Sequence, residues 1–158
     1  MDYKYWLNFV NKILKEHHFK RKSNNWYIEF DETIIVFNMQ RDNFSEYYFL
    51  NIGVNIKEMN SENKFPKEHQ CDFRIRLKNN CFDNNDYFDF KNKFSDIERE
   101  KGIKIYLKEV VMKMIVKIST VNGIKDYCNE FPEIINRQNI RIKNFLGLEV
   151  INDEKKRI

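Results

Sequence analysis

The sequence contains no alanine and only four glycines, Gly53, Gly102, Gly123 and Gly147, each far from the next. A phosphate-cradling loop or a dinucleotide-binding turn needs several glycines within a few residues, so this chain can build neither. Its three cysteines, Cys71, Cys81 and Cys128, are widely spaced and lack the paired framework of a disulfide scaffold or a structural zinc site. Free thiols in a reducing cytoplasm are the simplest expectation. No apolar run approaches the length that crosses a bilayer, and no apolar leader stands at the N-terminus, so no membrane association is expected. The tandem His17–His18 would project about 100° apart on a helix, and His69 with Cys71 supplies too few ligands. Asp83, Asp86 and Asp89 lack the glycine turn and terminal glutamate of a calcium loop. Neither a metal nor a cofactor is expected. No Gly-x-Ser-x-Gly turn or recognisable cysteine nucleophile is present.

What is abundant is aromatic and aliphatic. Hydrophobic residues make up 42% of the 158 positions and aromatics 15%, enough to bury one sizeable core. The crowding of Asn, Lys, Ile, Phe and Tyr fits an AT-rich, bacterial genome, which weakens arguments from lysine or asparagine abundance alone. Lys and Arg outnumber Asp and Glu by a net charge of +4, and the two signs alternate along the chain. A dedicated DNA-binding domain carries a denser basic stripe. The terminal Glu-Lys-Lys-Arg-Ile reads as a solvated chain end.

Trp6, Phe9, Val10, Ile13 and Leu14 recur at helical spacing and predict an amphipathic helix within residues 1–18. Lys-Arg-Lys-Ser-Asn-Asn breaks that pattern. Alternation then predicts four strands between residues 24 and 78. Their inward residues are Trp26, Ile28 and Phe30; Ile35, Phe37 and Met39; Leu50, Ile52, Val54 and Ile56; and Cys71, Phe73, Ile75 and Leu77. On the last strand Asp72, Arg74, Arg76 and Lys78 point outward. Short turns make the first three an antiparallel meander, while the longer connection through Pro66 leaves the fourth strand's place open. Ser95 and Glu98 form a capping box. The helix it starts has a buried stripe of Ile103, Leu107, Val110, Val111, Met114, Ile118 and Val121, and Asn122–Gly123 should end it. Pro132 opens a short helix, and residues 140–150 read as either helix or strand. The expected architecture is a single α+β domain over residues 1–158. An antiparallel sheet of about four strands has an N-terminal helix and C-terminal helices, residues 95–150, packed on it.

The functional question lies on the strand Phe-Leu-Asn-Ile-Gly-Val-Asn-Ile, residues 49–56. Leu50, Ile52, Val54 and Ile56 form a core face. The opposite face is too polar for a core and too sparsely charged for ordinary surface. Asn38, Gln40, Asn51, Asn55, Arg74 and Arg76 can all point to that side. Amides supply donors and acceptors in fixed directions, arginine clamps carboxylate or phosphate with two bonds, and Gly53 permits close approach. Two readings stay open: a recognition face for a partner, or a layer that ties down the chain's own loops and C-terminal segments. Tyr27, Tyr47 and Phe49 beside Arg74 and Arg76 outline a stacking platform for single-stranded nucleic acid, although the strand motif of such domains is absent. An enzyme would have to work through Arg74, Arg76 and a carboxylate such as Glu29 or Asp72, with no activated base identifiable.

The order of Phe-Lys-Arg-Lys at Phe19, Asn-x-Trp-Tyr-x-Glu at Asn24–Glu29, Val-Phe-Asn-Met-Gln-Arg at Val36–Arg41, Phe-Leu-Asn-Ile-Gly-Val at Phe49–Val54 and Gln-Cys-Asp-Phe-Arg-Ile-Arg-Leu at Gln70–Leu77 resembles a bacterial domain-of-unknown-function family. That family carries similar Phe-Asn-x-Gln-(Arg/Lys), (Ile/Leu)-Asn-(Ile/Leu)-Gly and Cys-(His/Asp)-x-Arg-x-Arg-Leu strands. The resemblance covers roughly Leu14 to Phe90. It implies a small α+β domain without an assigned reaction, of a kind often found among immunity-like proteins that bind and silence a toxin. Fold carries no function by itself. The expectation is a non-catalytic cytoplasmic protein whose partner is a protein such as a toxin, with single-stranded nucleic acid or a nucleotide as the alternative.

Overall fold

The computed structural model describes residues 2–79 and 84–148; Cys81, Asp83 and the terminal Glu-Lys-Lys-Arg-Ile lie outside them. Helix α1 (Tyr3–Glu16) begins where the Asp2 carboxylate accepts from the Tyr5 N–H, and it buries Trp6, Leu7, Val10, Ile13 and Leu14. Capping of this kind satisfies amides that the first helical turn leaves without partners. Five strands follow: β1 (Lys20–Lys22), β2 (Asn25–Glu29), β3 (Thr33–Arg41), β4 (Tyr48–Ile56) and β5 (Phe73–Arg76). They pair antiparallel in the order β1-β2-β3-β4-β5. The sheet thus has one strand more than alternation predicts. β1 is the addition, a fully exposed Lys-Arg-Lys folded onto β2 through a turn in which Ser23 takes φ 58°. β5 lies beside β4, which settles the position that the long connection left open.

The core face follows the sequence pattern through β4: Trp26, Ile35, Phe37, Met39, Leu50, Ile52, Val54 and Ile56 are all wholly buried. α1 closes on this face, with the Trp26 indole N–H donating to Asn11 Oδ1 at 3.0 Å and Tyr3 stacking on Tyr48 at 5.5 Å. β5 departs from the expected alternation at its start. Cys71 lies on the far side of the sheet with Tyr27, Ile34 and Val36. Asp72, expected outward, is buried, and its carboxylate accepts from the Ile56 N–H at 2.9 Å. The physical reason is that a one-turn helix at Glu68–Gln70 delivers the chain to β5 from the far face, so pleating begins only at Phe73.

The Ser95–Glu98 capping box starts α2 (Asp96–Tyr106), which runs through a π-helical turn (Leu107–Met112) into α3 (Lys113–Lys117). Ile103, Leu107, Val111, Ile115 and Ile118 are the buried stripe. Steps of four residues drift by about 40° each in an α-helix, and the wider π turn winds part of that drift back. Val110 and Met114 consequently sit at the margin of the core, half-buried. The helix stops at Ile118, earlier than Asn122–Gly123. Thr120 Oγ1 accepts from the Gly123 N–H at 3.0 Å and starts α4 (Val121–Glu130), so Gly123 opens a helix instead of closing one. A 3-10 turn from Pro132 to Arg137 leads to α5 (Ile140–Leu146), which Gly147 ends in the left-handed region at φ 63°. Residues 140–146 are therefore helix, and 149–150 lie outside the described residues.

Candidate functional site

The face opposite the core divides across the strands into a covered half and an open half. Over the end of β4 that carries Gly53 and Asn55, the connection from Lys57 to Asp72 folds back across the sheet. Phe65 meets Tyr27 edge-on at 5.3 Å, and the Lys57 ammonium pairs with Glu29 at 2.8 Å and donates to the Phe30 carbonyl. That pairing holds the Glu29 carboxyl below its usual range. Cys71 fills the space that Gly53 leaves: a Cβ on Gly53 would stand 2.6 Å from Cys71 Sγ and 3.0 Å from the Glu68 carbonyl. The close approach expected at Gly53 is made by the chain itself. Burial pushes the Cys71 thiol well up, which leaves it an inert packing group.

Two of the six candidate residues belong to this covered half. Asn55 is wholly buried, and its Nδ2 donates to the Asn60 carbonyl at 3.0 Å. Arg74 holds Glu68 with a two-bond fork at 2.9 and 3.1 Å, and that carboxylate raises the guanidinium's already high pKa. Both do what loop-anchoring polar groups do.

The other four assemble elsewhere. Antiparallel register places Lys22, Asn25, Asn38, Asn51 and Arg76 in one row across all five strands. Arg76 Nε donates to Asn51 Oδ1 at 3.0 Å. Asn51 Nδ2 in turn donates to Asn38 Oδ1 and to Gln40 Oε1, both at 3.2 Å. Asn38 Nδ2 donates to Asn25 Oδ1 at 2.9 Å and to the Asn24 carbonyl at 3.2 Å. The Arg76 guanidinium also lies over the Phe49 ring at 4.4 Å. Asn25, which sequence reasoning did not single out, closes the row; the signal was its register with Asn38, and register needs the strand pairing to be known.

Every hydrogen bond in this ladder runs the same way. Arginine can only donate and a backbone carbonyl can only accept, so Arg76 at one end and Asn24 at the other fix the direction. The side-chain oxygens of Asn25, Asn38 and Asn51 each accept one bond within the ladder, and Gln40 Oε1 accepts a second, from Arg76 Nη2 at 3.5 Å. The N–H groups that the ladder does not use, on the Asn25 and Gln40 amides and the rest of the Arg76 guanidinium, add donors to this face, the last of them cationic. Gln40 and Arg76 are exposed, Asn25 and Asn38 half-buried, and Asn51 is 4% exposed.

The aromatics do not form one platform. Tyr27 is buried in the covered half, whereas Tyr47 and Phe49 pack edge-on at 4.8 Å beside the ladder. Burial and a hydrogen bond to Asp86 push the Tyr47 hydroxyl up to about 12. Among the described residues no three His, Cys, Asp or Glu side chains gather as a metal site.

The geometry defines a small α+β domain with a donor-lined sheet face. The chain belongs to the family described as Domain of unknown function (DUF4304), whose model matches residues 10–117, more than half of the chain. The match takes in the second half of α1, the whole sheet with its ladder, and the long helix to Lys117. No curated protein and no solved structure matches the chain.

Proposed function

We propose that this domain is a non-catalytic bacterial binding protein of the immunity type, which holds a toxin through the open half of its sheet. The observation that supports the reading is the one-way amide ladder. Its members are already fixed by one another, so a partner meets directed donors without a large ordering cost. The partner surface that fits has acceptors: carboxylates and unpaired carbonyls. Free, buried Cys71 and Cys128 fit a cytoplasmic setting. Among the described residues no helix is long and apolar enough to cross a membrane. A nucleic-acid partner would also supply acceptors, but with Tyr27 covered the face lacks the aromatic spread that grips successive bases.

The test is rescue of growth during co-expression with toxins encoded beside this gene, read with the wild-type chain and with Asn25→Asp and Gln40→Glu. Both substitutions keep the oxygen that the ladder uses and replace the outward N–H with an acceptor. Rescue by the wild type and its loss in the variants, with affinity down at least about tenfold, supports the proposal. Rescue that ignores both variants would place the contact elsewhere. Steep, salt-dependent retention of oligonucleotides would favour the nucleic-acid alternative.

A further inference from the structure

β5 is the last strand of the sheet, so alternate backbone groups on it face away from β4. The Leu77 N–H donates to the Leu50 carbonyl at 2.9 Å. The pairing of Arg74 with Gly53 and Arg76 with Asn51 then turns the N–H and C=O of Arg74, Arg76 and Lys78 outward. Such an edge invites another strand unless it is blocked. Side chains occupy both outward groups of Arg74 and the carbonyl of Lys78. Gln138 imitates a strand residue: its Oε1 accepts from the Arg74 N–H at 3.0 Å, and its Nε2 donates to the Arg74 carbonyl at 2.8 Å. Tyr106 Oη donates to the Lys78 carbonyl at 3.1 Å. Between them the outward N–H and C=O of Arg76 have no partner among the described residues.

That gap opens into a groove of about 580 Å3 between β5, the π turn with α3, and the segment from α4 to Arg137. Its apolar floor includes half-buried Val110, Met114 and Ile134. Six of its lining side chains are basic and two acidic. Glu109 is already paired with Lys113 at 2.8 Å, whereas Lys78 and Arg137 have no ion pair among the described residues.

We infer that this groove receives an extended segment of a partner protein, which pairs with the Arg76 backbone and alternates apolar with acidic side chains. The alternation follows from strand geometry. Residues of an added strand that turn toward the helices meet Val110, Met114 and Ile134. Those that turn the other way lie beside the Arg76 guanidinium, with Lys78 nearby, and are carboxylates. Arg76, between Gln138 and Tyr106, is the one of the three positions with both outward groups open, which fixes the register. The inference rests on the reading of this chain as a protein-binding domain and shares only the Arg76 guanidinium with the amide ladder.

The test passes a library of N-acetylated, C-amidated nonapeptides, randomised at every position, over the immobilised full chain. Retained peptides should be enriched in Val, Ile, Leu or aromatics at alternate positions and in Asp or Glu between them. Retention should fall at least tenfold on Met114→Glu, which puts a carboxylate into the floor. Should that variant fail to unfold cooperatively, exposed Lys78→Glu serves and should reduce the acidic preference. A retained peptide should slow amide exchange at Arg76 at least tenfold. Asn25→Asp, on β2 and three strands away from β5, should bind the peptides as the wild type does, so loss of toxin rescue and loss of peptide binding are read separately. No retained peptides, equal retention on the groove variants, enrichment of basic sequences, or unchanged exchange at Arg76 would each overturn the inference.

Discussion

Asn51→Leu is the sharpest perturbation of the ladder, because Asn51 is its most buried member and leucine has a similar size. The change removes three hydrogen bonds, to Asn38 Oδ1, to Gln40 Oε1 and from Arg76 Nε. A hydrogen bond to a charged group contributes about 1.5–3 kcal/mol and a neutral one about 0.5–1.5. Gross losses of about 2.5–6 kcal/mol are therefore in play. Burying the leucine side chain returns about 1.5–3 kcal/mol at most, and Gln40 and Arg76, being exposed, recover part of their loss from water. A net destabilisation of about 2 kcal/mol remains, to be read from urea unfolding with an unchanged m-value. The partner residue gives the stricter check. In an Arg76→Met background the guanidinium no longer needs Asn51 Oδ1, so Asn51→Leu should cost at least about 1 kcal/mol less. A stability change within about 0.5 kcal/mol for the single variant, or strict additivity in the double-mutant cycle, would refute the claim that these residues act as one network.

Gly53→Ala drives a methyl group against Cys71 Sγ at 2.6 Å and its Cβ at 2.9 Å; a loss of about 1–3 kcal/mol in urea unfolding is expected, smaller with Cys71→Ala. Gln138→Ala leaves the Arg74 N–H and C=O unpaired at the sheet edge, and should cost about 1–2 kcal/mol and speed amide exchange at Arg74. Burial pushes Tyr48 up to about 12 from 10 and Cys128 up to about 11 from 9. Their raised folded values mean that stability is intact below about pH 9 and is lost as the pH rises through 12, which an alkaline unfolding series with the Tyr48→Phe variant checks. In the folded chain at pH 8, Cys71 and Cys128 should resist iodoacetamide for hours, as read by mass spectrometry, and react once urea unfolds it.

Much of the sheet could be read from the amino acids because burial imposes a period of two. Leu50 to Ile56 and Phe37 to Met39 alternate, since one side of each strand meets α1 and the long helix, while Ile34 and Val36 are apolar because they pack with Tyr27 and Cys71 on the far side. β1 has no such signal. Its three residues are all exposed, held by pairing with Asn25–Tyr27 and by the Arg21 and Lys22 cations over the Trp26 and Phe65 rings, and the Ser23–Asn24 turn between the two tripeptides is the hint that the sequence offers. Cys71 was misplaced because the alternation of Phe73 and Ile75 was extended backwards through residues that are not strand. The early end of the long helix was hidden for a related reason: Asn122–Gly123 resembles a stop, while Thr120 three residues before Gly123 is the cap that starts α4. Residue types located the polar face, but only cross-strand register separates Asn51 and Arg76 from Asn55 and Arg74. No periodicity reports which half of a face a distant loop will cover.

The direction of the ladder yields one more consequence, which a charge reversal exposes. Arg76→Met removes a donor and leaves Asn51 Oδ1 without its bond, whereas Arg76→Glu sets a carboxylate against that same oxygen. Asn51 cannot turn over to meet the carboxylate without surrendering its bonds to Asn38 and Gln40. Asn38 cannot reverse in sympathy, because its amide is committed to the Asn24 carbonyl, which only accepts. The reversed variant should therefore be less stable than Arg76→Met by about 1 kcal/mol or more at neutral pH. Protonation turns the carboxyl into a donor that restores the original order, so the gap between the two variants should close as the pH falls below about 4. Equal stability of the two variants across that range would mean that the ladder's direction is free, and with it would go the argument that the open face selects partners rich in acceptors.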